Sequence, residues 1–302
     1  MAGKQVPGMK GVRVFPPPPK DFDALAASKA ELERHGLPQR PDPHRQPGAA
    51  ALWEQRMRRY QGFEHLEPKL VPVDQPKEPV QPKEPVQPFS SLEPLVNCGY
   101  ELFSDLGPIN ILTVTWTIPN LNHSPSPPPF PNQDVPNHFH TFIGLGFNDL
   151  HVQMTVDAAE NVTIQAIAGG VGMMPLQIHP GDTLSASLCL QDNPAGTAFY
   201  GVVNETTAQT VNFRIDTGFP RAVTINAGIT RDFSPEPFEG FLDPLARFGA
   251  VYFDDITAFA TGGQPVLTNG TATTMVNNNG AALAIPVRLN DHAFKAAFIQ
   301  PS

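Results

Sequence analysis

The chain has 302 residues and a formal net charge of −9; only 16% of its residues are charged, and it carries 35 Pro, 24 Gly and 2 Cys. The charged share is well under the roughly 25% usual in globular proteins and proline is about twice its ordinary share, which excludes a coiled coil or a charged helical bundle, and two cysteines exclude a disulfide scaffold. The acidic balance argues against nucleic acid as a partner, and no apolar stretch approaches the ~18 to 20 residues of a membrane helix, so neither nucleic acid nor membrane is expected.

In chain order, residues 1–70 read as an N-terminal arm, 71–94 as a Pro-rich repeat linker and 95–302 as the body. Up to Pro94 there are 14 Lys and Arg against 12 Asp and Glu, and 6 against 17 thereafter, so a slightly basic arm precedes an acidic body. Met1 to Lys20 holds four cations and no apolar run of signal-peptide length. The cytoplasm is therefore the expected location, with Cys98 and Cys189 as free thiols.

Ser28-Lys-Ala-Glu31 is a capping box and Gly36 a C-terminal stop, which predicts a helix of about two turns. A second helix is predicted over 48–60, with Leu52, Trp53 and Met57 as an apolar stripe that docks on the body and Arg56, Arg58 and Arg59 on its other faces. Two copies of Gln-Pro-Lys-Glu-Pro-Val (75–80 and 81–86) follow. Units with two prolines in six favour extended polyproline II, a spacer. Self-association, if present, is assigned to the arm.

From Leu95 the pattern changes to period two. Ile109 to Ile118 is rich in β-branched residues, and similar runs occur at 139–146, 150–156, 161–168, 183–190, 198–204, 209–215, 221–230, 249–254, 272–277, 281–289 and 294–299, separated by Pro, Gly and Asn turn signals. The expected fold is all-β: an antiparallel β-sandwich of two large stacked sheets, concanavalin-like, behind a Pro-rich arm with two short helices. The stretch 119–136 is too proline-rich for a strand and reads as a surface loop.

The chain lacks a Gly-x-Ser-x-Gly elbow, a Walker loop, His-Glu-x-x-His and Cys-x-x-Cys. His138 and His140 share a strand face, with Asp149 and His151 one hairpin later, a set with metal-ligand chemistry. A strand end beside the loop is the simpler account, and neither metal nor cofactor is expected.

Residues 95–302 resemble the glutamic peptidases (eqolisins), a β-sandwich family with a substrate cleft on a concave sheet. The resemblance is carried, in the family's order, by Thr113–Pro119 (TVTWTIP), Phe142–Gly146 (FIGLG), His151–Asp157 (HVQMTVD), Ile178–Ser187 (IHPGDTLSAS), Val203–Gln209 (VNETTAQ) and Pro244–Phe253 (PLARFGAVYF). The arm's FDALAAS, GLP and PDP segments are similar to the leader of unsecreted bacterial relatives.

The resemblance implies a Glu acting as general base on a water and a Gln whose amide positions that water and stabilises the oxyanion. Gln153 occupies the Gln position. At the Glu position, Asn226–Phe233 (NAGITRDF) aligns so as to offer either Asp232 or Arg231, a one-residue slip that reverses the sheet face. An inward Asp232 gives a carboxylate one methylene short; an inward Arg231 gives no base. Gln153 and Asp232 are the candidate catalytic residues, with Trp116 and Phe142 as candidate substrate-binding aromatics. The family's aromatic substrate segment is replaced by the small, apolar Gln165–Pro175. Three readings stay open: hydrolysis of a polypeptide by a Gln/acid pair, binding of peptide or carbohydrate without cleavage, and a structural or assembly role using the arm.

Overall fold

The computed structural model describes residues 3–72, 94–125, 135–174, 176–192, 195–219, 221–232 and 244–299. The proline repeats and residues 126–134 of the proline-rich loop lie outside these residues. The arm contributes β1 (Lys4–Gln5), β2 (Val12–Val14), α1 (Lys29–Arg34), α2 (Pro47–Tyr60), β3 (Glu64–His65) and β4 (Lys69–Pro72). The body begins with β5 (Asn97–Phe103), β6 (Ile109–Thr117), β7 (Asn137–Leu145), β8 (Asn148–Val156), β9 (Val162–Ala168), β10 (Val171–Met174), β11 (Thr183–Asp192) and β12 (Ala195–Asn204). It ends with β13 (Gln209–Asp216), β14 (Thr224–Thr230), β15 (Ala250–Ala260), β16 (Thr271–Thr273), β17 (Met275–Val276), β18 (Ala282–Asn290) and β19 (Ala293–Phe298).

These strands form two sheets. One has 11 strands in the order β1-β2-β13-β12-β11-β6-β15-β19-β18-β17, with β3 also on β13, and the other has eight in the order β16-β5-β14-β7-β8-β9-β10-β4. Every body pairing is antiparallel, as expected for an all-β sandwich. The period-two pattern explains the layering. On β8, Leu150, Val152, Met154 and Val156 are fully buried while Asp149, His151, Gln153 and Thr155 alternate with them on the other face. Leu184, Ala186 and Leu188 of β11 and Val211 and Phe213 of β13 fill the space between the layers from the opposite sheet. Burial of this apolar surface is what stabilises the sandwich.

Trp116 of β6 is 1% exposed and lies in this interlayer core. Its indole Nε1 donates to Thr141 Oγ1 of β7 at 2.9 Å, so one buried hydrogen bond crosses between the sheets. Trp116, a candidate substrate-binding aromatic on sequence, is a core residue facing away from any open surface. The reason is parity: Leu112, Val114 and Trp116 share the inward face of β6.

The arm packs on the body. β2 pairs with β13 and β4 with β10, so the arm extends an edge of each sheet. The capping box of α1 forms as read, with Glu31 N–H donating to Ser28 Oγ and Ser28 N–H to a Glu31 carboxylate oxygen, and Gly36 follows at φ 68°. The stripe on α2 docks as expected: Trp53, Met57 and Tyr60 are buried with Leu32 and Leu37 in a second, smaller core. Arg56 departs from the sequence reading. It points toward the sheet and donates to Ser187 Oγ of β11 at 2.6 Å, whereas Arg58 and Arg59 are exposed.

Candidate active site

The outer face of the eight-stranded sheet, the one turned away from the interlayer core, carries the candidate residues. The register sets them in rows. One row runs from Asn97 of β5 through Thr230 of β14, His140 of β7 and Gln153 of β8 to Gln165 of β9. The next contains Gly99, Gly228, Phe142, His151 and Ile167. Residues opposite one another in an antiparallel pair share a face, so Gln153, His140 and Phe142 lie on one face of the sheet, where Gln153 is half-buried and His140 and Phe142 are buried at 9% and 5% exposure, which leaves Phe142, a candidate substrate-binding aromatic on sequence, largely covered.

Asp232 follows the end of β14 by two residues, and its carboxylate reaches back to this surface. His140 Nε2 donates to Asp232 Oδ2 at 2.9 Å. Arg231 turns the other way: it is 7% exposed, and its guanidinium donates to the carbonyls of Leu95 and Val276. Of the two residues between which the alignment wavers, it is thus the aspartate that shares a face with Gln153. Gln153 and Asp232 stand about 10 to 12 Å apart at Cα, from two strand spacings and two residues of rise.

Two histidine–carboxylate pairs organise the charge. The second is His151 Nε2 with Asp149 Oδ2, at 2.8 Å. The His140 and His151 rings meet edge to face at 5.9 Å, and Phe142 stacks on His151 at 5.8 Å. Burial pushes the Asp232 carboxyl up, but the His140 hydrogen bond and the charges of His140, His138 and His151 outweigh it, so the group is held below the ordinary aspartate value. Asp149 is likewise lowered: burial opposes ionisation and the hydrogen bond and charge of His151 prevail. Both carboxylates are therefore ionised in mildly acid solution, which fixes each facing imidazole nitrogen as the donor.

Beside Gln153, a depression of about 350 Å³ is lined by Gln153, Thr155, Thr163, Ile164 and Gln165. Gly99 and Gly228 are register partners and both are buried: a Cβ on Gly228 would lie 2.3 Å from Cys98 O, and one on Gly99 2.1 Å from Ala227 O, so neither position tolerates a side chain. Among the described residues, no group of three or more His, Cys, Asp or Glu is arranged to hold a metal ion, and the histidines are taken up in separate pairs with aspartate. Cys98 and Cys189 are free thiols on different sheets, each pushed up to about 12 by burial.

What the residues alone did not reveal is the role of His140. Its i,i+2 spacing from His138 was legible, but its bond to Asp232 depends on β14 and β7 being neighbours. That adjacency has no local signal.

A family model described as the peptidase A4 family matches residues 96–294. Among solved structures, scytalido-glutamic peptidase with a transition-state analogue inhibitor superposes with a TM-score of 0.52 at 14% identity, covering 68% of this chain and 98% of that one. SCP-B, a member of the eqolisin family in complex with the tripeptide Ala-Ile-His, gives 0.52 and 14% with the same coverage. At this identity the likeness is one of fold. No curated protein sequence matches the chain.

Proposed function

The chain belongs to the peptidase A4 family, and from that premise we propose that it binds an extended polypeptide on the outer face of the eight-stranded sheet and hydrolyses a peptide bond between Gln153 and Asp232. The observation that supports the reading is the presence of the Gln153 amide and the His140-bound Asp232 carboxylate on one open face.

The chemistry follows from these groups. Asp232 accepts a proton from a water as its oxygen attacks the scissile carbonyl carbon. The Gln153 amide N–H donates to the carbonyl oxygen as negative charge develops there. Collapse of the tetrahedral intermediate breaks the C–N bond, and the proton held by Asp232 passes to the leaving nitrogen. His140 acts as a positioning residue: it fixes the carboxylate and keeps it ionised.

A second reading rests on the same hydrogen bond. In it His140 is the base and Asp232 its orienting partner, as in other acid–histidine pairs. The pH profile separates the two, since a carboxylate base held below its ordinary value gives its limb in the acid range, and a limb outside that range excludes Asp232 as the base.

The test is digestion of an unfolded protein by the full chain between pH 3 and 7, with Gln153→Ala and Asp232→Asn alongside. Cleavage by the native chain alone supports the proposal. Cleavage that is equal in all three overturns the site. Retention of the substrate uncut by all three makes the protein a binding module.

A further inference from the structure

A further cavity lies away from the face that carries Gln153. It has a volume of about 500 Å³ and lies between α2 and the outer face of the 11-stranded sheet. That size falls within the range of small-molecule sites.

Its walls are of two kinds. Trp53, Arg56 and Met57 come from α2; on the sheet beneath, Phe199 of β12 lies between its register partners Cys189 of β11 and Arg214 of β13, with Ser187 and Asn212 in the next outward row. In a chain of net charge −9, the cavity is lined by Lys29, Arg40, Arg56, Arg59 and Arg214 against only Glu33 and Glu205.

Arg59 is neutralised by Glu205 at 2.8 Å. Arg56 and Arg214 are not paired with a carboxylate among the described residues: Arg56 donates to Ser187 Oγ, and Arg214 Nη2 donates to Leu37 O at 3.2 Å. Arg214 is 6% exposed and its Nε is buried without a hydrogen-bond partner, as are Asn110 Oδ1 and Asn212 Oδ1. Burial lowers the Arg56 guanidinium to about 10, so it remains cationic at neutral pH while poorly solvated. Cys189 is a neutral thiol there and supplies no counter-charge. Two desolvated cations without a carboxylate at ion-pair distance, beside unsatisfied amides, are costly to maintain, and the charges of Asp255 and Glu205 on Arg56 and of Glu33 on Arg214 offset that only in part. An anion seated beside Arg56 lowers that cost.

We propose that this cavity binds an amphipathic organic acid, its carboxylate at Arg56 and its apolar body against Trp53, Met57 and Phe199. The apolar wall is the reason to choose an organic acid over an inorganic anion, which would leave that wall uncovered. The proposal is independent of the hydrolytic site on the other sheet.

The probes are decanoate, 1-decanol and decylamine, equal in chain length and different in head group, added to the full chain. Decanoate is expected to raise the thermal midpoint in a concentration-dependent way and to bind with one-to-one stoichiometry in calorimetry. Decanol should bind at least tenfold more weakly, and decylamine should give no shift. Arg56→Met should weaken decanoate binding at least tenfold, with partial recovery in Arg56→Lys. Equal effects of the three amphiphiles, an unchanged affinity in Arg56→Met, or no heat and no shift with decanoate would each overturn the proposal, the last identifying a water-filled space. Should Arg56→Met fail to fold, the three-probe series on the native chain decides by itself.

Discussion

His140 and Asp232 lie 92 residues apart in the chain and are joined by a 2.9 Å hydrogen bond from Nε2 to Oδ2. The bond ties a residue beyond the end of β14 to the middle of the adjacent strand β7. It converts a chain segment outside the ladder into a fixed carboxylate.

If Gln153 and Asp232 carry out hydrolysis, each makes a separable contribution. Gln153→Ala removes an oxyanion donor and is expected to lower kcat by about 10²- to 10³-fold. Asp232→Asn removes the proton acceptor, with a loss of about 10²- to 10⁴-fold. Steady-state cleavage of an unfolded substrate measures both.

The His140–Asp232 bond also fixes the pH dependence. His140→Phe removes the hydrogen bond and charge that lower Asp232 and leaves the burial that raises it. The acid limb of the pH–rate profile is therefore expected to move to higher pH, with kcat reduced about tenfold or more. A limb that stays put would show that another group titrates.

Stability should follow the same two carboxylates. Asp149 and Asp232 both have folded-state values held below the ordinary 3.8, so their contribution is fully present above that pH and is lost as pH falls through the lowered values. The urea midpoint is expected to drop between pH 4 and pH 2. In Asp149→Asn it should already be lower at pH 6 and fall less on acidification. Denaturation curves at several pH values provide the check.

Trp116 tests the division between core and cleft. Trp116→Ala is expected to cost about 3–5 kcal/mol. Trp116→Phe, which strands Thr141 Oγ1 without its donor, should cost about 1–3 kcal/mol. KM for a peptide should be unchanged in Trp116→Phe at a temperature where it is folded. A rise in KM would return the indole to the binding surface.

Removal of residues 1–72 strips β2 from β13 and β4 from β10, leaving both sheets with unpaired edges. The truncated body is expected to associate, with a mass in light scattering that grows with concentration. A monodisperse body would mean that these edges are protected by something other than the arm.

The long body strands were legible because alternation reports a half-buried face directly, as Leu150, Val152, Met154 and Val156 do against Asp149, His151, Gln153 and Thr155. Other strands were not. Gly99 breaks the β-branched pattern of β5, yet it is required by the close approach of Ala227 O. Val171–Met174 lies in the stretch read only as small and apolar, and it forms a strand that pairs on both sides, with β9 and β4. The arm's strands are two to four residues long, and β2 is held by Phe213, Arg214 and Ile215, some 200 residues away. Periodicity within a short window carries nothing about such a partner. The choice between Arg231 and Asp232 had the same character, since it turns on a single residue of register near a strand end.

The chain's two indoles occupy two separate compartments. Trp116 is sealed between the layers, hydrogen-bonded to Thr141, whereas Trp53 stands under the arm with its Nε1 donating to Pro38 O and the Arg40 guanidinium 4.8 Å from its ring. Their emission therefore supplies two built-in optical gauges, one for the integrity of the sandwich and one for the seating of the arm. With Trp116 replaced by phenylalanine, the remaining signal would follow the undocking of α2 alone.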